Sequence, residues 1–340
     1  MAGNNLKVLV ITNMYPTHDR PFHGTFVEKQ VESLRQKGVE VDVLYVDGVS
    51  SKLNYIWGFP RLWAKLLMNR YHLIHAHYVF SGIIARAQFV CPVVLTHHGS
   101  QVFQGWQASM CRILTPFMDR AIVVSHEMKD KGKLTKSYVI PCGIDFQLFI
   151  PIPKKQAREE LGLPQDKKLI LFAGEYFRPI KRFDIVQVAT KLLQERHPDA
   201  ELVLVAKKPL DEVPKYMSAC DVLVLVSDGE GSPMVIKEAM ACNLPIVSVP
   251  VGDVPEVIEG TQGCYLCSQE PKDVADKLEL ALQWGKRTDG RKKIGHLEIG
   301  AISQQIISLY QDLLQEQSGH RLARLYISHK GQEGKNNKVS

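Results

Sequence analysis

Short apolar runs, each followed by a polar loop and then a stretch with helical spacing, recur from one end of the chain to the other. Leu6 to Thr12 reads as a buried strand, the loop after it runs through Gly24, and a helix pattern covers Thr25 to about Gln36. Gly38 punctuates the chain before a strand at Glu40 to Tyr45. His72 to His75, Val93 to Thr96 and Ala121 to Ser125 have the length of further short strands. Strands of this kind, separated by helices, predict a parallel sheet covered on both faces.

The pattern then stops and restarts. Phe149 to Lys155 is proline-rich and polar, as an interdomain linker would be. Beyond it, Leu169 to Ala173 is again a buried strand, followed by Gly174 and a helix from about Arg182 to Glu195. Leu202 to Ala206, Val222 to Val226 and Ile246 to Val249 supply three more strands, and Pro271 to Trp284 another helix. A last helix, Ile302 to Leu314, can pack on either half. The expected organisation is α/β, with Rossmann-like domains at 1–150 and 151–300, a C-terminal helix at 301–318 that can return to the first domain, and a mobile basic tail at 319–340. Ligands of such sheets bind beyond the carboxyl ends of the strands, so two domains in tandem can share one cleft.

Composition narrows the class. The 340 residues are 45% hydrophobic and 23% charged, enough for two cores. No stretch approaches the roughly 18 to 20 apolar residues of a membrane span. The segment Met1 to Lys7 lacks the apolar core and cleavage site of a secretory signal, so a cytoplasmic protein is expected. The seven cysteines agree, since most sit beside apolar residues, and Cys264 and Cys267 read as part of a short strand rather than a metal or redox site. A net charge of +6 is met by a solvated surface, and it also suits phosphate-bearing ligands or an anionic membrane.

The chemistry concentrates in Glu230-Gly231-Ser232-Pro233-Met234-Val235-Ile236-Lys237-Glu238, directly after the strand Val222 to Val226. Ser232 is a good N-cap and Pro233 a good first helical residue, so a helix should start here. Its free backbone N–H groups and positive dipole end make a phosphate site at the strand's carboxyl edge. Gly231 would let the loop approach a ligand closely. Glu230 and Glu238, eight positions apart, are acceptors for vicinal sugar hydroxyls, and burial of an unpartnered Glu238 on this apolar helix would be costly without a functional reason.

This segment resembles the donor-site signature of the retaining glycosyltransferases of family 4, which have the GT-B fold, including those of bacterial capsule and envelope polysaccharides. In that family the first glutamate of a Glu-x7-Glu pair contacts the donor sugar and the second holds the nucleotide ribose. Glu230 and Glu238 fall on those positions, and Ser232, Pro233, Met234 and Val235 on the loop that meets the diphosphate and sugar. Tyr15-Pro16 and Gly24-Thr25-Phe26-Val27 are similar to its first loop, near diphosphate and acceptor. His75-Ala76-His77, Thr96-His97-His98-Gly99-Ser100, Ile140 to Asp145 and Val251 to Glu256 resemble later family segments in the family's order.

The resemblance implies an Arg/Lys pair on the loop after Leu169 to Ala173, best matched by Arg178 and Lys181, with Arg182 a weaker match. Two fixed cations there would stabilise the charge that grows on a departing diphosphate. It also assigns His98, at a strand end, to a hydrogen-bonding role near the donor sugar, while His97 can point into the core. His75 and His77 alternate on a strand end, yet no third metal ligand is indicated, and no metal or other cofactor is expected beyond the nucleotide-sugar co-substrate. The chain departs from the family at Glu175, where many relatives have arginine, and at Gln101, where many have aspartate.

The implied activity is transfer of a hexose-type sugar, with retention, from a UDP- or GDP-sugar to a glycan or lipid-linked acceptor, with no nucleic-acid partner. A sugar-nucleotide epimerase, a phosphorylase, or a non-catalytic nucleotide-sugar-binding protein are the alternatives. A nicotinamide dehydrogenase is disfavoured because Asn13-Met14-Tyr15-Pro16 follows the first strand in place of Gly-x-Gly-x-x-Gly. Finally, Ser51 to Tyr71 holds Lys52, Arg61, Lys65 and Arg70 with Trp57, Trp63 and no acidic residue. It is either a basic amphipathic stretch for an anionic bilayer, at the inner face of the membrane, or a core-packing helix with a solvated basic edge.

Overall fold

The computed structural model describes residues 6–99, 102–103 and 105–336, with side chains as far as 318. Two all-parallel sheets organise the chain. The first has six strands, β1 (Lys7–Thr12), β2 (Glu40–Tyr45), β3 (Leu73–His77), β4 (Val93–His97), β5 (Arg120–Val123) and β6 (Tyr138–Val139), in the spatial order β2-β1-β3-β4-β5-β6. The second has five, β7 (Lys168–Ala173), β8 (Ala200–Val205), β9 (Val222–Leu225), β10 (Ile246–Ser248) and β11 (Cys264–Leu266), in the order β11-β10-β9-β7-β8. The α/β, two-domain expectation is met.

Helices on both faces explain why Val8 to Ile11, Val93 to Leu95 and Leu169 to Leu171 are apolar at consecutive rather than alternate positions: all are fully buried. β3 and β4 run past their apolar residues to His77 and His97, because pairing continues through Thr12↔His77, His77↔Thr96 and His97↔Val123. Three histidines thereby enter the sheet. β6, only two residues long, is too short for any periodic signal.

Both sheets wind alike. Each starts at an inner strand, turns outward once, and then crosses back to the other side of that strand. The reversals fall between β1 and β3 and between β7 and β9, where the diverging loops open a crevice at the carboxyl edge.

The final helix, Ile299–Asn336, returns to the first domain. Ile144 bonds to Leu297, just before the helix, and to Ile299, its first residue, each at 2.9 Å, and Ser33 on the helix Thr25–Gln36 donates to the Ile299 carbonyl. Arg120 binds Glu316 further along. The helix continues past Gly319, where the basic tail begins. Cys264 and Cys267 lie on or beside β11, and all seven cysteines are free thiols.

Candidate active site

The two crevices face each other across a cleft of about 910 Å³. One wall comes from the loop after β1, including Met14, Arg20, His23 and Gly24, from Tyr78 after β3, and from His98 and Gly99 after β4. The other comes from Glu175, Arg178 and Lys181 after β7, Lys207 after β8, and Gly229 to Met234 after β9. A cavity of about 300 Å³ in the second domain adjoins it, shares Lys181, Lys207, Glu230 and Met234, and reaches Val235 and Glu238.

The two glutamates stand in different surroundings. Glu230 is held by Lys181, whose Nζ donates to Oε1 at 2.6 Å. Glu238 is in the second turn of the helix Met234–Ala241, half-buried beside the fully buried Ile236, Ala239, Met240 and Ala241. Desolvation pushes its carboxyl up to about 7 from the ordinary 4.5. An acid so placed is half-protonated near neutrality.

The helix starts one residue later than capping rules predict. Pro233 occupies the N-cap position, and no side chain caps the helix. Ser232 is drawn away by a buried ion pair. Lys237 is wholly buried, its Nζ lies 2.7 Å from Asp253 Oδ2 and also donates to Ser232 Oγ, and that hydroxyl donates to the same Asp253 oxygen at 2.7 Å. A buried ammonium needs oxygen partners more than a helix end needs a cap. The helix start, Pro233 and Met234, lines the cleft.

Gly231 also has a different use from the expected one. A Cβ there would sit 2.1 Å from the His98 carbonyl oxygen, so the close approach is to the backbone of the facing domain. Glu127 accepts from the Gly252 N–H nearby, a direct hydrogen bond between the domains. Gly24, at φ 75°, is wedged against the Met14 carbonyl, where a Cβ would come within 2.3 Å. It lines the cleft and precedes the helix that Thr25 begins; Thr25 itself is not in the lining.

Of the loop cations Arg178, Lys181 and Arg182, Lys181 is the one brought to Glu230. Arg178 lines the cleft but is half exposed, 3.5 Å from Glu175. Arg182, left-handed at φ 47°, binds Asp184 and Asp228 away from the cleft. Gln101 lies outside the described residues, as does Ser100.

His98 is nearly buried between Phe26, Tyr78 and His77, with ring centroids 5.0, 5.3 and 5.0 Å away. Burial holds it well below its ordinary value, so the ring is neutral. His77 Nδ1 and His98 Nε2 share a hydrogen bond of 2.7 Å. Behind them His75 stacks on His77 and is bonded to both Tyr310 and Thr96. His97 points into the core toward Thr115. Among the described residues no group of three or more His, Cys, Asp or Glu is arranged to hold a metal.

Lys207 and Tyr78 escaped sequence reasoning. Both have positive φ, 53° and 69°, at the carboxyl ends of their strands. Lys207 adds a fourth cation to Arg20, Arg178 and Lys181 at the cleft. The signal was weak: a lysine after a strand is usually solvated.

Comparison with known proteins agrees with this fold. Residues 2–148 match the model described as Glycosyltransferase Family 4, and residues 167–283 the model described as Glycosyl transferases group 1. Each model takes in one sheet. The chain is a GT-B glycosyltransferase of the family 4 type. This glycosyltransferase is 25% identical over 345 residues to TuaC of Bacillus subtilis, named for teichuronic acid biosynthesis, covering 80% of this chain and 88% of that one. It is 27% identical over 199 residues to N-acetyl-alpha-D-glucosaminyl L-malate synthase of Bacillus anthracis, over 50% of this chain and 51% of the other. Sucrose-phosphate synthase from Thermosynechococcus elongatus shares its fold, with TM-score 0.72, 20% identity, and coverage of 92% and 100%. So does HepE from Anabaena in complex with UDP, with TM-score 0.67, 17% identity, and coverage of 90% and 100%.

Proposed function

We propose that this glycosyltransferase moves a hexose-type sugar from a UDP- or GDP-sugar, with retention, to a glycan or lipid-linked acceptor in envelope polysaccharide synthesis. The observation that carries the proposal is the pairing of two unlike glutamates around one helix start: Glu230 bonded to Lys181 in the main cleft, and Glu238 without a partner among the described residues in the adjoining cavity. TuaC's name supports an envelope glycan, and HepE, solved with UDP and with UDP-glucose, supports a uridine donor.

In this assignment Glu238 accepts from the ribose hydroxyls. The N–H groups at Met234 and Val235, with Lys181 and Arg178, receive the diphosphate, and Glu230 and His98 receive the hexose. Lys181 exchanges Glu230 for phosphate oxygens as charge grows on the leaving group, which concentrates its stabilisation in the transition state. The acceptor attacks from the face that the diphosphate leaves, and its proton passes to a departing phosphate oxygen. Lys181, Arg178, Lys207 and the helix start supply the counter-charge, so no metal is needed. The contacts of Gly231 with His98 and of Glu127 with Gly252 hold the domains together around the reactants.

Turnover of UDP-, GDP- and ADP-sugars, read as free nucleotide, tests this. Slow release from one donor, quickened by acceptor and lost in Lys181→Ala by about 10²–10³-fold, is the expected result. Absence of saturable binding by any nucleotide sugar would refute it.

Of the two readings of Ser51 to Tyr71, we favour the one that faces a membrane. The helix Asn54–Met68 fully buries only Gly58 and Leu62, while Trp57, Leu67 and Met68 are 65%, 84% and 81% exposed. From Gly48 to Met118 the chain has no Asp or Glu at all, and Trp106, Ile113 and Phe117 are exposed on the same stretch. An anionic bilayer is the partner such a surface fits, at the cytoplasmic face, and it would bring a lipid-linked acceptor to the cleft. No described helix is long and apolar enough to cross a membrane. Flotation with phosphatidylglycerol vesicles should occur, and weaken in Trp57→Ser with Leu67→Ser; equal recovery with neutral vesicles, or none with either, would count against it.

A further inference from the structure

The buried histidines behind the cleft carry an inference about how His98 is prepared, which rests on its proposed place beside the donor sugar. His75, His77 and His98 come from the ends of β3 and β4, and all three are buried and neutral. Each neutral ring has one N–H and one bare nitrogen, so the hydrogen bonds decide which is which.

Both nitrogens of His75 are taken, Nδ1 by the Tyr310 hydroxyl and Nε2 by the Thr96 hydroxyl at 2.7 Å. His75 therefore offers His77 only its ring face, stacked at 4.4 Å. Among the described residues His77 has one side-chain bond, from Nδ1 to His98 Nε2 at 2.7 Å, and its buried Nε2 has no partner. His98 Nδ1 faces only the Cys142 sulfur, 3.7 Å away.

Two proton arrangements fit these contacts. If His98 donates from Nε2, His77 must carry its proton on the partnerless Nε2, which leaves an orphan N–H in the interior. If His77 donates from Nδ1, the partnerless atom is a bare nitrogen, and His98 carries its proton on Nδ1. Orphaned buried N–H donors are the rarer case in folded proteins. We infer that His77 is a positioning residue that holds His98 in its Nδ1–H tautomer, by donating its own Nδ1–H to His98 Nε2.

The consequence for specificity is direct. His98 is the one histidine of the ladder that lines the cleft, and its N–H rests on a thiol, a weak acceptor. A sugar hydroxyl can displace that sulfur and accept a better hydrogen bond. Nucleotide alone has no hydroxyl in that half of the site, so His77 should matter for the sugar and not for the base.

Long-range ¹H–¹⁵N spectra of the full chain labelled at histidine nitrogens test the tautomer without any donor, with His98→Gln assigning the signal. The expected result is a His98 ring protonated at Nδ1 in the wild type. His77→Phe should shift the His98 pattern and raise KM for the nucleotide sugar about tenfold, with the Kd of free nucleotide unchanged within about twofold. His77→Asn, whose amide can donate from a similar place, should restore both readouts. A wild-type His98 protonated at Nε2 overturns the inference whatever the kinetics. The expected tautomer with unchanged KM in His77→Phe overturns the positioning role. Failure of the wild type to bind any nucleotide refutes the donor-site assignment instead, and the spectrum still decides the tautomer.

Discussion

Replacing Glu238 by glutamine should make the free enzyme more stable, and only at neutral and alkaline pH. The carboxyl has an unfolded value of 4.5 and is pushed up to about 7 in the folded protein by desolvation. Between those values the folded state holds a proton that the unfolded chain has lost. Stability therefore falls as pH rises through this window, and above about pH 7 the enzyme carries the full cost of an ionised, unpartnered carboxylate. At ~1.36 kcal/mol per pH unit the displacement corresponds to about 3 kcal/mol, and the part of the side chain open to the cavity lowers this to about 2 kcal/mol. Glutamine fills the same space and never ionises. Thermal unfolding of wild type and Glu238→Gln, without ligand, should differ little at pH 5. At pH 8.5 the variant should melt higher by roughly 4–8 °C, since a domain of this size moves ~2–4 °C per kcal/mol. Titration with nucleotide at the same two values should show the opposite order of merit, with the wild type binding more tightly at the higher pH and the variant weak at both. A variant-minus-wild-type difference that is the same at pH 5 and pH 8.5 would refute the reasoning, because an ordinary packing change has no such pH dependence.

Two further outcomes follow from interior contacts. Gly231→Ala places a methyl group 2.1 Å from the His98 carbonyl, so the domains must separate there; turnover should drop at least about tenfold with the melting temperature nearly unchanged, and a fully active variant would remove that contact from the mechanism. Breaking the buried pair with Lys237→Met should cost about 3–5 kcal/mol in urea unfolding, whereas Lys237→Met combined with Asp253→Leu should recover most of it; a double variant as unstable as the two singles added together would show that the pair is not acting as a unit.

Much of this protein could be read before any coordinates. Strands buried on both faces must be apolar at successive positions, so β1, β4, β7 and β9 announce themselves and the parallel α/β class follows with them. That the Glu230 to Glu238 segment ends a strand, turns and starts a buried helix was legible for the same local reason, because glycine and proline mark the turn and apolar residues follow it. Side-chain partners were not legible. Ser232 has the chemistry of an N-cap, yet it serves Lys237 and Asp253, and Asp253 lies 21 positions away.

Gly231 shows the same division. Its lack of a side chain is evident in the sequence, but whether the backbone that crowds it belongs to a ligand or to His98 depends on how two domains meet. Lys207, an unremarkable lysine by local rules, becomes a cleft cation only because β8 ends beside β7. The histidines are the clearest case. Sequence marked His75, His77 and His98 as strand-end residues, while the sheet register, the returning C-terminal helix and Tyr310 decided what each ring nitrogen meets. Local pattern determines elements, because hydrophobic period and backbone preference act over a few residues. Partners across 21 or 235 positions are chosen by packing, which no short window of sequence contains.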